Sequence, residues 1–166
     1  LWGLTSPGAG EQRFVAAPAV TASLQECLPH CDLVVGTEEE IRIAGGCEST
    51  VDAIRAIQRL TSAAIVVKRG PAGCSIYERV GVAGQDVAGY PVEVMNVLGA
   101  GDAFLSGLLA GWLADESLGQ AAALGNACGA LVVSRHGCAP AMPTREELAH
   151  YLANAERIPR PDQDAT

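Results

Sequence analysis

The chain has 166 residues, enough for one domain with a real hydrophobic core. Its 49% hydrophobic content excludes a disordered polar chain, and a formal net charge of −8 with no basic run or aromatic-rich stripe excludes a nucleic-acid surface. The cysteines (Cys27, Cys31, Cys47, Cys74, Cys128, Cys138) form no Cys-x-x-Cys pair and no His-Cys metal spacing, so scattered reduced thiols are expected rather than disulfides or zinc. No signal peptide is visible, and the longest apolar helical run, between Asp102 and Asp115, is too short to cross a bilayer. A cytoplasmic protein is expected.

In chain order, Leu1-Trp2-Gly3-Leu4 reads as the end of a buried strand and begins without methionine, so a piece of a larger domain is expected. Thr5 to Gln12 is a Gly/Pro/Ser turn segment. Val20 to His30 predicts a short helix with Leu24, Cys27 and Leu28 on one face. Asp32 to Gly36 reads as a short buried strand. Thr37 then caps a helix, with Glu40 completing a capping box. Ser49-Thr50-Val51 opens a helix to Leu60, striped by Val51, Ile54, Ile57 and Leu60. Ala63 to Val67 is a continuous apolar strand, of the kind buried on both faces of a parallel sheet. This alternation implies βαβ units with right-handed crossovers.

Lys68-Arg69-Gly70-Pro71-Ala72-Gly73 follows that strand's C-terminal end, where open α/β sheets bind ligands. The same residues read equally as a plain turn into the strand Cys74-Ser75-Ile76-Tyr77, and Lys68 or Arg69 as a phosphate contact or a solvated cation. Val80 to Gly89 is a polar, Gly-rich hairpin connection. Leu118 to Ser134 is a helix rich in small residues, with Arg135-His136-Gly137 as its basic last turn and glycine stop. Thr144 to Leu148 opens a capped final helix, and Arg157 to Thr166 reads as a tail or linker.

The stretch from Asn96 to Phe104 carries the chemistry. An extended apolar approach (Val92, Val94, Val97, Leu98) ends in a small-residue loop that opens a helix, with Asp102 in its first turn. Gly99 and Gly101 lack a Cβ, so a ligand can approach their N–H groups. At a helix N-terminus those donors favour an anion. A carboxylate there repels the anion, which makes sense if it takes a proton from a hydroxyl attacking a phosphorus held by the loop. The plain alternative is an Asp that complements the helix dipole after a glycine turn. No Gly-x-x-x-x-Gly-Lys-Ser/Thr occurs, and Phe104 stands where a dinucleotide fingerprint needs Gly or Ala. Ala103, Gly107 and Gly111 recur every four residues, a smooth helix face for close packing.

Gly99-Ala100-Gly101-Asp102-Ala103-Phe104 resembles the second signature of the ribokinase-like (PfkB) carbohydrate kinase family, and the likeness continues through Ser134-Arg135-His136-Gly137-Cys138-Ala139-Pro140. Val35 to Ile41 with Ala44-Gly45-Gly46, then Val67 to Pro71, are similar to the family's sugar-acid kinases of inositol breakdown. The likeness covers only the C-terminal part of such a kinase. It implies a three-layer α/β/α fold with a mainly parallel sheet over residues 1–156, leaving 157–166 as the tail. It implies transfer of the γ-phosphate of ATP to a primary hydroxyl, that at C6 of 5-dehydro-2-deoxygluconate. The alternatives are a fructose, ribose or nucleoside acceptor, or an isolated ATP-binding fragment without activity.

By this resemblance Asp102 is the base, and Gly99, Ala100 and Gly101 supply N–H donors to the phosphoryl group. Gly70 and Gly73 resemble the family's Gly-x-x-Gly turn beside the nucleotide, with Lys68 near the phosphates. Asn126 and the loop at Cys138-Ala139-Pro140 would border the adenine and ribose. Glu39 takes the Glu position of an Asn-x-x-Glu motif that organises Mg2+ and its waters, with Gly36 at the Asn position. Many relatives hold a monovalent cation beside the anion hole, using an Asp where this chain has Asn96 and often a Ser where it has Ala141. The implied partners are ATP and a small sugar or sugar acid, with no nucleic acid and no membrane. The likeness also admits a homo-oligomer of the full-length protein.

Overall fold

The computed structural model describes residues 18–78, 80–81 and 83–155. The chain divides into two units, residues 1–68 with 77–84 and residues 69–76 with 85–166. The opening tetrapeptide, the Thr5 to Gln12 turn and the tail from Arg157 lie outside the described residues.

The first unit runs α1 (Pro18–Cys27), a 3-10 turn (Leu28–His30), β1 (Leu33–Thr37), α2 (Glu38–Gly45), α3 (Thr50–Gln58) and β2 (Ala64–Lys68). β1 and β2 pair in parallel, in register from Leu33 with Ala64 to Thr37 with Lys68. A parallel pair needs a crossover of a dozen residues or more, and α2 and α3 supply it. The expected capping box starts α2: Thr37 Oγ1 accepts the Glu40 N–H at 3.3 Å, and Glu40 Oε2 accepts the Thr37 N–H at 2.7 Å. Gly46, at φ +66°, ends it, and Ser49 caps α3. Leu28, Ile41, Ile54, Ile57, Ile65 and Val67 form the core. Each such burial stabilises by about 1.5–3 kcal/mol.

Two expected stripes shift. Leu28 is buried, but Cys27 is exposed, because the chain tightens from α-helix to 3-10 turn at that point. In α3 the buried face is Ala53, Ile54, Ala56 and Ile57, leaving Val51 at the first turn 56% exposed and Leu60, beyond the helix, 39% exposed.

The second unit contains a 3-10 turn (Gly70–Ala72), β3 (Cys74–Tyr77), β4 (Gln85–Val87), α4 (Ala100–Trp112), α5 (Leu118–Val133), a 3-10 turn (Ala139–Ala141) and α6 (Arg145–Asn154). β3 and β4 pair antiparallel, Cys74 opposite Val87 and Ile76 opposite Gln85, so the strand pairs are not all parallel. The connection between them is short enough for a hairpin, and that fixes the antiparallel sense. α4 and α5 meet through their glycines. A Cβ on Gly107 would stand 2.7 Å from the Leu124 carbonyl oxygen, and one on Gly125 would stand 2.8 Å from that of Phe104. The small-residue face of α4 is therefore a packing surface. Ala103, Cys128, Val132 and Ala141 form the adjoining core, with Met142 and Leu148 against it.

The approach to α4 is not a strand. The N–H groups of Met95 and Asn96 both donate to the Val133 carbonyl, at 2.8 and 3.1 Å, Pro91 has no N–H, and Val94, Val97 and Leu98 are exposed. Helix α5 stops at Val133, so Arg135 lies beyond it and serves the following loop instead of the helix dipole. All six cysteines are free, and no described helix is long and apolar enough to cross a membrane.

Candidate functional site

The site is built on the turn that starts α4. Gly99, at φ +86°, is its N-cap, a conformation that side chains disfavour. A Cβ there would also stand 2.5 Å from Cys138 Sγ, so the turn and the Cys138 loop touch only because residue 99 is glycine. The Ala100 N–H donates to the Val97 carbonyl at 3.3 Å, and Ala103 N–H donates to the Gly99 carbonyl at 2.9 Å. The N–H groups of Gly99, Gly101 and Asp102 have no partner among the described residues. Of the donors expected from the sequence, Gly99 and Gly101 are open and Ala100 is engaged inside the turn. The Asp102 side chain is exposed and likewise without a partner among the described residues. Ser106 donates only to the Asp102 backbone carbonyl, at 2.8 Å. The arrangement is a free carboxylate beside free amide donors at the positive end of a 13-residue helix.

Asn96 stands behind this turn. Its Oδ1 accepts the Leu98 N–H at 3.0 Å and its Nδ2 donates to the Gly137 carbonyl at 2.9 Å. Residue 96 therefore presents an N–H donor, not an oxygen, to that carbonyl, and Ala141 has no ligating atom in its side chain. This donor set does not fit the monovalent cation that many relatives hold there, in line with the replacement of both side-chain ligands in the sequence.

The expected nucleotide-side residues form a second cluster. The turn Gly70–Ala72 closes with Gly73 N–H donating to the Gly70 carbonyl at 2.9 Å and Arg69 N–H to the Gly73 carbonyl at 2.7 Å. Gly73 takes φ +85°, and a Cβ on it would run into the Val87 carbonyl. Asn126, 8% exposed, donates its amide to the Val87 and Ala88 carbonyls at 3.2 and 3.1 Å. Gly73 and Asn126 thus flank one segment, Val87–Gly89. Arg69 pairs with Asp86 at 3.0 Å, and Asp86 also accepts the Ser75 hydroxyl at 2.7 Å. Sequence reasoning missed this brace because its partners lie far apart along the chain. It also missed Arg135, which donates to the Ala141 carbonyl at 3.3 Å and pairs with Glu147 at 3.0 Å.

Two expected residues lie in the first unit. Lys68 Nζ stands 3.9 Å from Glu40 Oε2, the carboxylate that also completes the α2 cap. Glu39 is half-buried in the first turn of α2 and has no partner among the described residues. The side chain that stands against Gly36 is Glu40, not Glu39. A single free carboxylate such as Glu39 suits Mg2+, which keeps several waters and takes few protein ligands. Among the described residues no three His, Cys, Asp or Glu side chains group to hold a metal directly.

Titration marks structure more than chemistry here. Burial pushes the Cys74 thiol up to about 11, opposed by its hydrogen bond from Asn126 and by nearby Arg69. Burial also raises Cys128, so neither is a poised nucleophile. Glu147 is held below the usual carboxylate range by the Thr144 backbone N–H and then by Arg135.

Comparison with known proteins adds an independent line. Residues 11–145 match the family model described as pfkB family carbohydrate kinase. The chain is 32% identical over 130 residues to the 5-dehydro-2-deoxygluconokinase of Listeria innocua, covering 75% of this chain and 39% of the relative. It is 30% identical over 132 residues to that of Bacillus thuringiensis, covering 76% and 40%. The chain thus spans about two-fifths of the length of the curated relatives it matches. Among solved structures it resembles a Vibrio cholerae fructokinase bound to fructose, ADP and calcium, at TM-score 0.69 and 30% identity over 80% of this chain and 44% of that one. It also resembles a Thermotoga maritima ribokinase, at TM-score 0.72 and 22% identity over 78% and 45%, a likeness of fold alone.

Proposed function

The chain belongs to the pfkB family of carbohydrate kinases, and we propose that the protein it is part of transfers the γ-phosphate of ATP to a primary hydroxyl of a small sugar or sugar acid. The observation that carries this reading is the exposed, unpartnered Asp102 carboxylate beside the open N–H groups of Gly99 and Gly101. Phosphoryl transfer asks a protein mainly for positioning and for charge stabilisation. The open amides donate to the equatorial oxygens of the migrating phosphoryl group. Asp102 accepts the proton of the attacking hydroxyl as the new O–P bond forms and the bond to ADP breaks. The Gly70–Gly73 turn and the Val87–Gly89 segment, held by Asn126, border the nucleotide together with the Cys138 loop. Mg2+, when bound, neutralises charge on the phosphates, and Glu39 would hold its water shell.

For the acceptor, the relatives named 5-dehydro-2-deoxygluconokinase favour 5-dehydro-2-deoxygluconate at its C6 hydroxyl. The solved relative bound to fructose makes fructose the competing acceptor. The free thiols support a reducing, cytoplasmic setting. The test is Asp102→Asn in the full-length protein, assayed with ATP and both acceptors. Turnover falls by about 10³-fold or more while ATP affinity stays within about threefold. Near-normal turnover in this variant refutes the assignment, and preference for fructose in the wild type refutes the sugar-acid reading.

A further inference from the structure

The turn that starts α4 and the turn around Gly137 come from distant parts of the sequence, and a single side chain spans them. Asn96 Oδ1 accepts the Leu98 N–H at 3.0 Å, while its Nδ2 donates to the Gly137 carbonyl at 2.9 Å. The orientation of the amide is fixed by its partners. A backbone N–H can only donate and a carbonyl can only accept, so exchanging the amide O and N would break both bonds at once. The backbone around Asn96 is anchored as well, because Met95 and Asn96 both donate to the Val133 carbonyl at the end of α5. Beyond the bridge, Cys138 Sγ packs against Gly99, so the spacing of the two turns determines where the Gly99 backbone sits. The far turn is braced in its own right by Arg135, through the Ala141 carbonyl and Glu147.

We infer that Asn96 is a positioning residue: its amide ties the Gly99–Gly101 turn to the Gly137 turn, so that the phosphoryl-holding amides are set by a protein hydrogen bond and not by a bound monovalent cation. The inference rests on the kinase reading for its effect on turnover, but the bridge itself does not. Both polar atoms of the Asn96 amide are engaged by backbone groups of the protein. Asn96 acts by fixing the turn whose amides hold the phosphoryl group, and displacement of such donors by about 1 Å costs on the order of 10²-fold in rate.

The test uses the full-length protein and two variants. Asn96→Ala removes both bonds. Asn96→Asp is isosteric, keeps the acceptor for Leu98 and replaces the donor with an oxygen facing the Gly137 carbonyl. Amide hydrogen exchange over residues 97–104 speeds up by about 10-fold or more in both variants, with the remaining peptides unchanged. With ATP and 5-dehydro-2-deoxygluconate or fructose, kcat falls by about 10- to 100-fold while KM for ATP stays within about threefold. The wild-type rate is the same in potassium as in tetramethylammonium buffer. Potassium restores part of the Asn96→Asp rate, where two oxygens now face each other, and none of the Asn96→Ala rate. Wild-type exchange rates in Asn96→Ala, or a wild-type enzyme that requires potassium, overturn the inference. The exchange arm needs no turnover, so it decides the bridge even where neither acceptor is phosphorylated and the kinase reading falls.

Discussion

Replacing Gly99 with alanine tests the geometry of the α4 turn most directly. Two costs add. At φ +86° a Cβ meets the backbone strain of the left-handed region, about 1–2 kcal/mol. The same Cβ would lie 2.5 Å from Cys138 Sγ, an overlap that has to be relieved by shifting the Cys138 loop. Overpacking of this kind costs about 1–3 kcal/mol. The sum, about 2–5 kcal/mol, lowers the melting temperature of a kinase-sized domain by about 5–15 °C. The double variant Gly99→Ala/Cys138→Ala separates the parts, because it removes the sulfur and leaves the strain. It recovers about half of the lost stability, and Cys138→Ala alone melts close to wild type. Scanning calorimetry of the four full-length proteins, with turnover measured alongside, checks this. A Gly99→Ala protein that melts within 1 °C of wild type and turns over normally refutes the turn geometry and the site built on it (that threshold being about 0.5 kcal/mol).

Other expectations follow from particular contacts. Asn126→Ala leaves the Val87 and Ala88 carbonyls without their donor, so stability falls by about 1–3 kcal/mol in chemical denaturation, with a smaller effect on KM for ATP than on stability. Gly107→Val pushes α4 off the Leu124 carbonyl and costs about 3 kcal/mol or more, while Ser106→Ala, on an exposed position, stays within about 0.5 kcal/mol of wild type. Because burial raises the Cys74 thiol to about 11, its neutral form favours the fold: this contribution is complete below pH 9 and is lost as pH rises toward 11. The melting temperature of wild type therefore drops more steeply over that window than that of Cys74→Ala, and equal slopes count against the buried thiol. In native protein iodoacetamide labels Cys27 first, and Cys74 and Cys128 only on unfolding, as peptide mass mapping reads out.

What the sequence disclosed and what it hid divide along a physical line. Local signals were legible: the Thr37–Glu40 and Thr144–Glu147 capping boxes, the four-residue run of small side chains in α4 and the glycine turn before Asp102 all involve neighbours within a turn or two. The rest stayed hidden where a residue's partner is remote. The run from Val92 to Leu98 reads as an extended apolar approach, and nothing in it tells that the Met95 and Asn96 amides turn to Val133, about 40 residues away by count along the chain. Arg135 looks like a helix-end cation but braces Ala141 and Glu147. Asn96 is the sharpest case. The family likeness marks it as a place where relatives carry a cation ligand that this chain lacks, and the fold puts a hydrogen-bond donor there, aimed at Gly137. A side chain's chemistry can be named from its letter, but whether that chemistry acts on a ligand or on the protein itself is decided by what the fold brings opposite it. Asp102 differs from Asn96 in this one respect: the fold brings it no partner among the described residues, and an exposed carboxylate left free beside open amides is the arrangement a proton acceptor requires.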